Sequence, residues 1–273
     1  MNGFQLSQPK NDGLEVSQVK PWSADKHHFL RRYIHGFTQA MKNKKWAGLH
    51  YIDLFAGPGV EEIEGGGLDW GSPLIAAQSK HPFSRLHLVE LDQRKHDALA
   101  IRLANYQLPN PPQLILGDAN QAVNQVVDLI PHRTLSLAFL DPYGLHLHFS
   151  TLRKLANKRV DLIIFFPDYL DAIRNWKTYY KGHRDSNLTL VLGTSAWETQ
   201  IDGSSAEKDA EILAGIYVDQ IRSLGYAHFD YKRISRRDGR FLYRLVFCSM
   251  DVAGLKIWSG ISQKEPDGQG RLF

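Results

Sequence analysis

Residues 49–59 read LHYIDLFAGPG, in which a mostly apolar run ends at Ala, Gly, Pro and Gly. An apolar run that stops at glycine and proline is typical of a buried strand followed by a tight turn. Gly57 and Gly59 leave the backbone of that turn open to a nucleotide-like ligand, because no Cβ stands in the way. The segment therefore predicts a strand of an α/β fold and, directly after it, a ligand-binding turn.

Strand-like and helix-like segments alternate on both sides of this turn. Ser23 is predicted to cap a helix that reaches Met41, and residues 61–71 form an acidic, glycine-rich loop. Further strands are predicted at 86–91, 113–116, 135–140 and 160–166, and further helices at 72–79, 93–106, 119–130 and 149–157. Strand–helix units with near-continuous apolar strands indicate a parallel sheet that helices cover on both faces.

The last third of the chain follows a different pattern. Residues 168–205 are rich in aromatic side chains and predict a helical elaboration, and a long helix is expected at 205–224. Two strand-like runs, 227–235 and 241–250, flank a turn with the Asp-Gly pair that is typical of hairpins. We expect a Rossmann-like, mostly parallel seven-stranded sheet that ends in an antiparallel hairpin.

One domain is predicted to account for most of the chain, at 21–262. Residues 1–20 are expected to form an irregular polar arm, and 263–273 a polar tail. No apolar run is long enough to predict a membrane span, and the polar start does not resemble a signal peptide. The single cysteine, Cys248, excludes an internal disulfide and a cysteine metal cluster and suits a reducing cytoplasm. No histidine pair has the spacing of a catalytic zinc motif, so no metal is expected.

Acidic residues stand at the carboxyl ends of two of the predicted strands. Glu90 ends the strand at 86–91, where its two oxygens could accept hydrogen bonds from both ribose hydroxyls of a nucleotide. Asp118 follows the strand at 113–116 and could accept a bond from an adenine amino group, with Ala119 beside it. The alternatives are that Asp92 takes this role in place of Glu90, that Glu90 only ends a strand, and that Asp118 only caps the next helix.

The acidic loop bears on the choice of cofactor. A dinucleotide fingerprint requires a third glycine where this chain has Glu62. Glu61, Glu62 and Glu64 would repel a pyrophosphate but suit a positively charged sulfonium and amino group, which predicts S-adenosylmethionine. The residues expected to bind it are Asp53, Phe55, Gly57, Pro58, Gly59, Glu90, Asp118, Ala119 and Asp141.

The motif FLDPYG at 139–144 indicates the type of reaction. The Asp141 carboxylate and the Pro142 carbonyl could hold an amino group with its lone pair aimed at a methyl sulfonium, and Tyr143 could stack on a planar substrate. These three residues are the predicted catalytic set. In the alternative interpretation, Asp141 only seats the methionine part of the cofactor.

The order of these motifs resembles the three-Cys-motif partner proteins over roughly residues 22–261. The matching segments are YIDLFAGPG, GSPLIAA, LVELD, GDAN, FLDPYGL, VLGTSAW and LYRLVFCSM with GLKIW. The resemblance implies a methyltransferase-like fold and a bacterial partner protein that carries three cysteines. FLDPYG is also similar to the Asp-Pro-Pro-Tyr motif of amino-group methyltransferases, but Tyr143 stands where that motif has its second proline.

Three functions follow from these observations. The first is methylation of an amino group on a nucleic acid or a protein, and the second is a catalytically silent partner protein in a complex. The third, another nucleotide-linked enzyme, lacks a P-loop, a nucleophile elbow and an intact dinucleotide fingerprint. A nucleic acid could bind the basic hairpin formed by Lys232, Arg233, Arg236, Arg237 and Arg240. Trp22, Lys26 and His27 could fold over the cofactor or simply begin a surface helix.

Overall fold

The structure is a computed structural model that describes residues 8–183, 185–236, 239 and 241–263, with Leu170 described by its backbone alone. The predicted tail at 263–273 lies outside the described residues except for Gln263, and so do Arg237 and Arg240 of the basic hairpin. In chain order the strands are β1 (Ser17–Val19), β2 (Gly48–Asp53), β3 (Val60–Ile63), β4 (Leu68–Trp70), β5 (Arg85–Glu90), β6 (Gln113–Leu116), β7 (Thr134–Leu140), β8 (Arg159–Phe166), β9 (His228–Ser235) and β10 (Phe241–Ser249).

Seven of these strands form one sheet, in the order β6-β5-β2-β7-β8-β10-β9. The pairs from β6 to β8 are parallel, and β10 is antiparallel to both β8 and β9. The predicted fold class is confirmed: a mostly parallel α/β sheet that ends in an antiparallel hairpin. Because β10 runs opposite to its neighbours, the end of β9 and the start of β10 lie at the same edge of the sheet as the carboxyl ends of the parallel strands.

Helices cover both faces of this sheet. They are α1 (Ser23–Met41), α2 (Ser72–Ala77), α3 (Gln93–Leu103), α4 (Ala119–Asp128), α5 (Phe149–Leu155), α6 (Asn187–Leu192), α7 (Trp197–Gln200), α8 (Ala206–Arg222) and α9 (Val252–Ser262), with π-helical segments at Asp168–Ile173 and Trp176–Tyr180. Two hydrophobic cores result. One packs α1, α2, α3 and α9 against the sheet, and the other packs α4 to α8 against the opposite face.

Alternation along the strands explains the two cores. In β7, Leu137 and Phe139 face one core, whereas Ala138 and Leu140 face the other. Successive side chains of a strand point to opposite faces, so a strand that is buried on both sides must be apolar throughout. The near-continuous apolar runs seen in the sequence therefore reflect a sheet that is covered on both faces.

The predictions of a loop at 61–71 and of an irregular arm at 1–20 were wrong in part. Residues of both segments form a second, three-stranded sheet in the order β1-β3-β4, in which Ser17 pairs with Glu61 and Val19 with Ile63. Gly65, with φ of +69°, makes the turn between β3 and β4 possible. Short polar strands of this kind lack the alternation by which a strand is recognised in sequence.

Two smaller differences concern helix ends. Trp22, not Ser23, is the N-terminal cap residue of α1, and no side chain caps this helix. Helix α9 was not predicted, and its buried Trp258 packs in the core beside Phe29. Within the described part of the chain, no helix is both long and apolar enough to cross a membrane.

Candidate functional site

A cavity of about 1100 Å³ lies over the carboxyl ends of β2, β5, β6 and β7. Parallel strands present their carboxyl ends at one edge of a sheet, which is where ligands bind in open α/β folds. All but one of the predicted site residues line it: Phe55, Gly57, Pro58, Gly59, Glu90, Asp118, Ala119, Asp141, Pro142 and Tyr143. The structure thus brings together residues that are far apart in the sequence.

The exception is Asp53, which is completely buried beneath the cavity. Its Oδ2 accepts hydrogen bonds from the hydroxyls of Ser72 (2.5 Å) and Tyr51 (3.2 Å), and its Oδ1 accepts one from the backbone N–H of Phe55 (3.1 Å). Burial raises the pKa of the Asp53 carboxyl to about 7. Asp53 therefore joins the end of β2 to the start of α2 and supports the turn from below.

The glycine turn is held by Glu90. Gly57 and Gly59 have φ values of +63° and +86°, a region that favours glycine. The Glu90 carboxylate accepts the backbone N–H of Gly57 through Oε2 (2.7 Å) and that of Asp92 through Oε1 (2.8 Å). The predicted role of Glu90 at ribose hydroxyls would use its remaining acceptor lone pairs.

Arg102 of α3 fixes the same turn from the other side. Its guanidinium donates to the carbonyls of Pro58 (2.7 Å) and Glu15 (2.8 Å) and forms a two-pronged ion pair with Asp12. Arg102 is 4% exposed. A single buried side chain therefore connects the N-terminal segment, whose residues 17–20 line the cavity, to the glycine turn.

Asp118 serves as the N-terminal cap of α4. Its Oδ1 accepts the backbone N–H groups of Asn120 (2.9 Å) and Gln121 (3.2 Å). The capping interpretation is thus observed, while Asp118 and Ala119 also line the cavity. A cap that uses one carboxylate oxygen leaves the other for a ligand, so the predicted bond to an adenine amino group stays a prediction.

Asp141 forms an ion pair with Lys26 of α1. The Lys26 Nζ lies 2.5 Å from Oδ2 of Asp141 and 4.8 Å from the centre of the Phe165 ring. Both charged side chains are mostly buried, at 11% and 15% exposure, and all three residues line the cavity. The predicted amine-binding carboxylate therefore already holds an amino group, one supplied by this chain.

Glu61 and His27 lie on the same side of the cavity. The His27 Nε2 is 3.6 Å from Oε1 of Glu61, and burial keeps the pKa of His27 well below its usual value, so the imidazole is neutral. Burial also raises the pKa of Glu61 to about 8, against the opposing effect of the Lys26 charge. Its Oε2 is buried and has no hydrogen-bond partner among the described residues.

Tyr143 projects from the mouth of the cavity. Its side chain is 76% exposed, and the Lys95 Nζ lies 5.3 Å from the centre of its ring. The backbone after it is held by Asp171, whose Oδ2 accepts the N–H of Leu145 (3.2 Å). A Cβ at Gly144 would come within 2.9 Å of that same oxygen, which explains the glycine at this position.

The described part of the basic hairpin is bound within the protein. Lys232 is 3% exposed and donates to the carbonyl of Ser262 (3.1 Å). Arg233 is paired with Glu207 (2.9 Å) and Glu211 (3.5 Å) of α8. Arg236 is exposed and interacts with other residues. The side chains of Lys232 and Arg233 are therefore already engaged in contacts within the fold.

Several lining or supporting residues were outside the predicted site. Trp22 and Lys26 line the cavity, which agrees with the interpretation in which the start of α1 covers it. His27 does not line the cavity and is buried in the protein. Arg102 and Phe165 lie in no recognisable motif, and Ser72 lies in the GSPLIAA segment, for which no site role was predicted. Among the described residues, no group of three or more His, Cys, Asp and Glu side chains is arranged to hold a metal ion.

No protein-family model and no curated protein matches the chain. Among solved structures, protein LPL1258 of Legionella pneumophila aligns with a TM-score of 0.51 at 11% identity, over 89% of this chain and 95% of its own. Trm1 of Pyrococcus horikoshii, solved with S-adenosyl-L-methionine, has a TM-score of 0.47 at 12% identity, over 95% of this chain and 65% of its own. An O-methyltransferase of Bacillus cereus, solved with SAH, has a TM-score of 0.45 at 13% identity, over 87% and 84%. The likeness to LPL1258 shows a shared fold alone.

Proposed function

We propose that this protein is an S-adenosylmethionine-dependent methyltransferase whose methyl acceptor is an amino group. The observation that carries the proposal is the cavity over the strand ends, where the glycine turn, Glu90, Asp118 and Asp141 meet. Each of these lies at the carboxyl end of a different strand, in the order expected for a nucleotide-like cofactor that crosses the sheet edge.

The lining residues fit the charge of this cofactor. Glu61 offers a buried oxygen that has no partner among the described residues, and Glu90 and Asp118 keep unused acceptor lone pairs. An acidic cavity favours a cationic sulfonium and ammonium and disfavours the pyrophosphate of a dinucleotide. When bound, S-adenosylmethionine supplies an activated methyl group; Phe55 and residues 57–59 would lie against it, with Glu90 at the ribose and Asp118 at the adenine.

The acceptor side of the cavity is formed by Asp141, Pro142 and Phe165. The carboxylate of Asp141 would accept N–H bonds from an incoming amine and orient its lone pair, which is a positioning effect of the kind that can supply much of a methyl-transfer rate. A cavity of about 1100 Å³ exceeds the volume that one drug-sized ligand needs, so it has room for a cofactor and part of an acceptor.

Titration calorimetry of the purified protein with S-adenosylmethionine tests the proposal, with NAD and ATP as competing cofactor classes. We expect saturable binding of S-adenosylmethionine alone. Glu90→Ala should weaken it at least about tenfold, a loss of roughly 1.4 kcal/mol. Asp219→Asn, which alters an exposed acid on α8, is the matched control. Binding of NAD or ATP in preference to S-adenosylmethionine, or none of the three, would reject the proposal.

The ion pair between Lys26 and Asp141 favours a second candidate, a cofactor-binding partner protein without turnover. In this case the amine-holding carboxylate is permanently occupied by Lys26, and the protein acts in a complex with a three-cysteine-motif protein. Methyl release from labelled cofactor, measured with candidate acceptors and with or without that partner, separates the two. Cofactor binding without turnover under every condition supports the silent partner.

A further inference from the structure

The ammonium group of Lys26 sits in a site with two recognition features. The carboxylate of Asp141 contacts it at 2.5 Å, and the face of the Phe165 ring lies 4.8 Å from it. A carboxylate supplies a charge-assisted hydrogen bond, and an aromatic face attracts a desolvated cation through its quadrupole. Together they form the chemistry that recognises an alkylammonium ion.

Stability alone does not account for this arrangement. Burying two charges costs desolvation energy that their attraction offsets only with good geometry, so a buried ion pair is weak evidence for a structural role. Lys26, Asp141 and Phe165 also line the cavity, whereas a purely structural pair could be placed anywhere in the core. Their position at the acceptor side suggests a ligand site.

We propose that Asp141 and Phe165 form a binding subsite for a primary alkylamine, and that the side chain of Lys26 occupies this subsite as an internal stand-in. As a statement about the methyl acceptor, this rests on the proposed function; as a statement about binding, it stands on the contacts above. An incoming alkylammonium takes the place of the Lys26 ammonium, and the end of a lysine side chain has the same shape and charge. Before it can accept a methyl group, the bound ammonium must release one proton to water, which frees the nitrogen lone pair.

The cavity favours this class over a nucleic-acid base. Four of the acids that line it, Glu90, Asp92, Asp118 and Asp141, stand against three lysines, Lys20, Lys26 and Lys95, while the fifth acid, Glu61, keeps its proton up to about pH 8. Such a surface has no excess of positive charge to attract a phosphate backbone, whereas nucleic-acid sites concentrate basic side chains. The ring expected to stack on a base, Tyr143, is 76% exposed at the mouth. An amine on a flexible alkyl chain needs neither a basic surface nor a stacking ring.

Removing the stand-in tests the subsite directly. In Lys26→Ala, n-butylamine should bind saturably with a Kd on the order of 1–10 mM, measured by calorimetry and by the rise in melting temperature. Wild-type protein, in which the subsite is filled, should bind it at least about tenfold more weakly. Lys95→Ala, which removes another cavity lysine, is the matched control and should behave as wild type. Neutral n-butanol should not bind any of them.

A second variant keeps the result interpretable if Lys26→Ala is unstable. Lys26→Met preserves the packing of the methylenes, and a melting temperature near that of wild type would show an intact fold. Adding Asp141→Asn to Lys26→Ala should abolish n-butylamine binding. Equal binding by wild type and Lys26→Ala, binding that survives Asp141→Asn, or equal binding of n-butanol would each overturn the subsite.

Competition experiments identify the source of the amine. A lysine-containing peptide that competes with n-butylamine in Lys26→Ala indicates protein lysines, and binding of the small amine alone indicates a free alkylamine. Competition by a single-stranded oligonucleotide would contradict the proposal. S-adenosylmethionine is titrated into the same variants, so that absence of amine binding in Lys26→Ala with intact cofactor binding refutes the subsite and leaves the proposed function standing. The reverse outcome refutes the cofactor instead.

Discussion

The carboxylate of Glu90 accepts the backbone N–H of Gly57 at 2.7 Å, so the end of β5 holds the turn that follows β2. Its other oxygen holds the backbone of Asp92, which caps α3. Two neighbouring strands, a turn and a helix thus depend on one side chain at the cavity wall. Any ligand that contacts this turn contacts a backbone whose conformation Glu90 has set.

Replacement of Glu90 should therefore change both stability and ligand binding. Glu90→Ala leaves two backbone N–H groups without their acceptor, and we expect a loss of about 1–3 kcal/mol in the free energy of unfolding. Glu90→Gln keeps one acceptor oxygen and should lose less. Urea unfolding and cofactor calorimetry on both variants measure the two effects, and an unchanged cofactor affinity in Glu90→Ala would remove Glu90 from the binding site.

Asp53 should tolerate loss of its charge but not of its hydrogen bonds. Its pKa of about 7 means that much of it is already neutral in the folded protein at neutral pH. In Asp53→Asn, the amide oxygen can still accept from Phe55 and the NH₂ group can donate to the Ser72 hydroxyl. We expect Asp53→Asn to stay within about 1 kcal/mol of wild type and Asp53→Ala to lose about 2–3 kcal/mol in urea unfolding. Equal losses in the two variants would contradict this role.

Arg102 should control how firmly the N-terminal segment is held. Arg102→Met removes the bonds to Pro58 and Glu15 together with the Asp12 ion pair. We expect faster cleavage after Glu15 by a glutamate-specific protease and at least about tenfold weaker cofactor binding, since the glycine turn also loses its support. Asp12→Asn breaks only the ion pair, so it should speed cleavage with little change in cofactor affinity. If the protease cleaves Arg102→Met no faster than wild type, the segment is held by other contacts.

Glu61 should make the protein less stable as the pH rises. Its folded-state pKa of about 8 lies above the ordinary value of 4.5, so between these values the folded protein keeps a proton that the unfolded chain has released. The free energy of unfolding therefore falls as the pH rises through this interval. Because a glutamine side chain cannot ionise, the free energy of unfolding of Glu61→Gln should be higher than that of wild type by on the order of 1 kcal/mol at about pH 9. At about pH 4 the two proteins should differ little. The exposed neighbour variant Glu62→Gln is the control; a parallel pH dependence in Glu61→Gln and wild type would refute the assignment.

Arg244 and Asp168 should be replaceable together but not singly. Both are fully buried and form an ion pair, and Arg244 also pairs with Glu211 of α8. Arg244→Met leaves the Asp168 carboxylate buried without its cation, and we expect a loss of about 3–5 kcal/mol. The double variant Arg244→Met with Asp168→Asn should recover part of this loss. Additive losses in urea unfolding would show that the two side chains do not depend on each other.

Much of the architecture was predictable because its signals are local. The strands β2, β5, β7 and β8 are apolar runs bounded by breakers, and the helices between them have regular apolar spacing. The gathering of Gly57, Glu90, Asp118 and Asp141 followed from one rule, that parallel strands present their carboxyl ends together. Their roles toward a cofactor remain predictions.

Long-range pairings were beyond the reach of the sequence. The Lys26–Asp141 ion pair joins residues 115 positions apart, and the Arg102–Asp12 pair spans 90 positions. In the sequence of a helix, a basic residue that the fold buries cannot be distinguished from one on a solvated face, because both occur in amphipathic patterns. Likewise β1 is only three residues long and polar, and its partner strand lies far along the chain.

The second sheet has a consequence for the order of assembly during synthesis. β1 leaves the ribosome before its partner β3, which follows 44 residues later, and the arginine that anchors Asp12 follows 90 residues after Asp12. Contacts between distant segments form late in folding, because the intervening chain must first lose entropy. β1 therefore has no partner until β3 has emerged, and Asp12 has none until α3 has emerged, so this wall of the cavity is completed only after the centre of the sheet has begun to form.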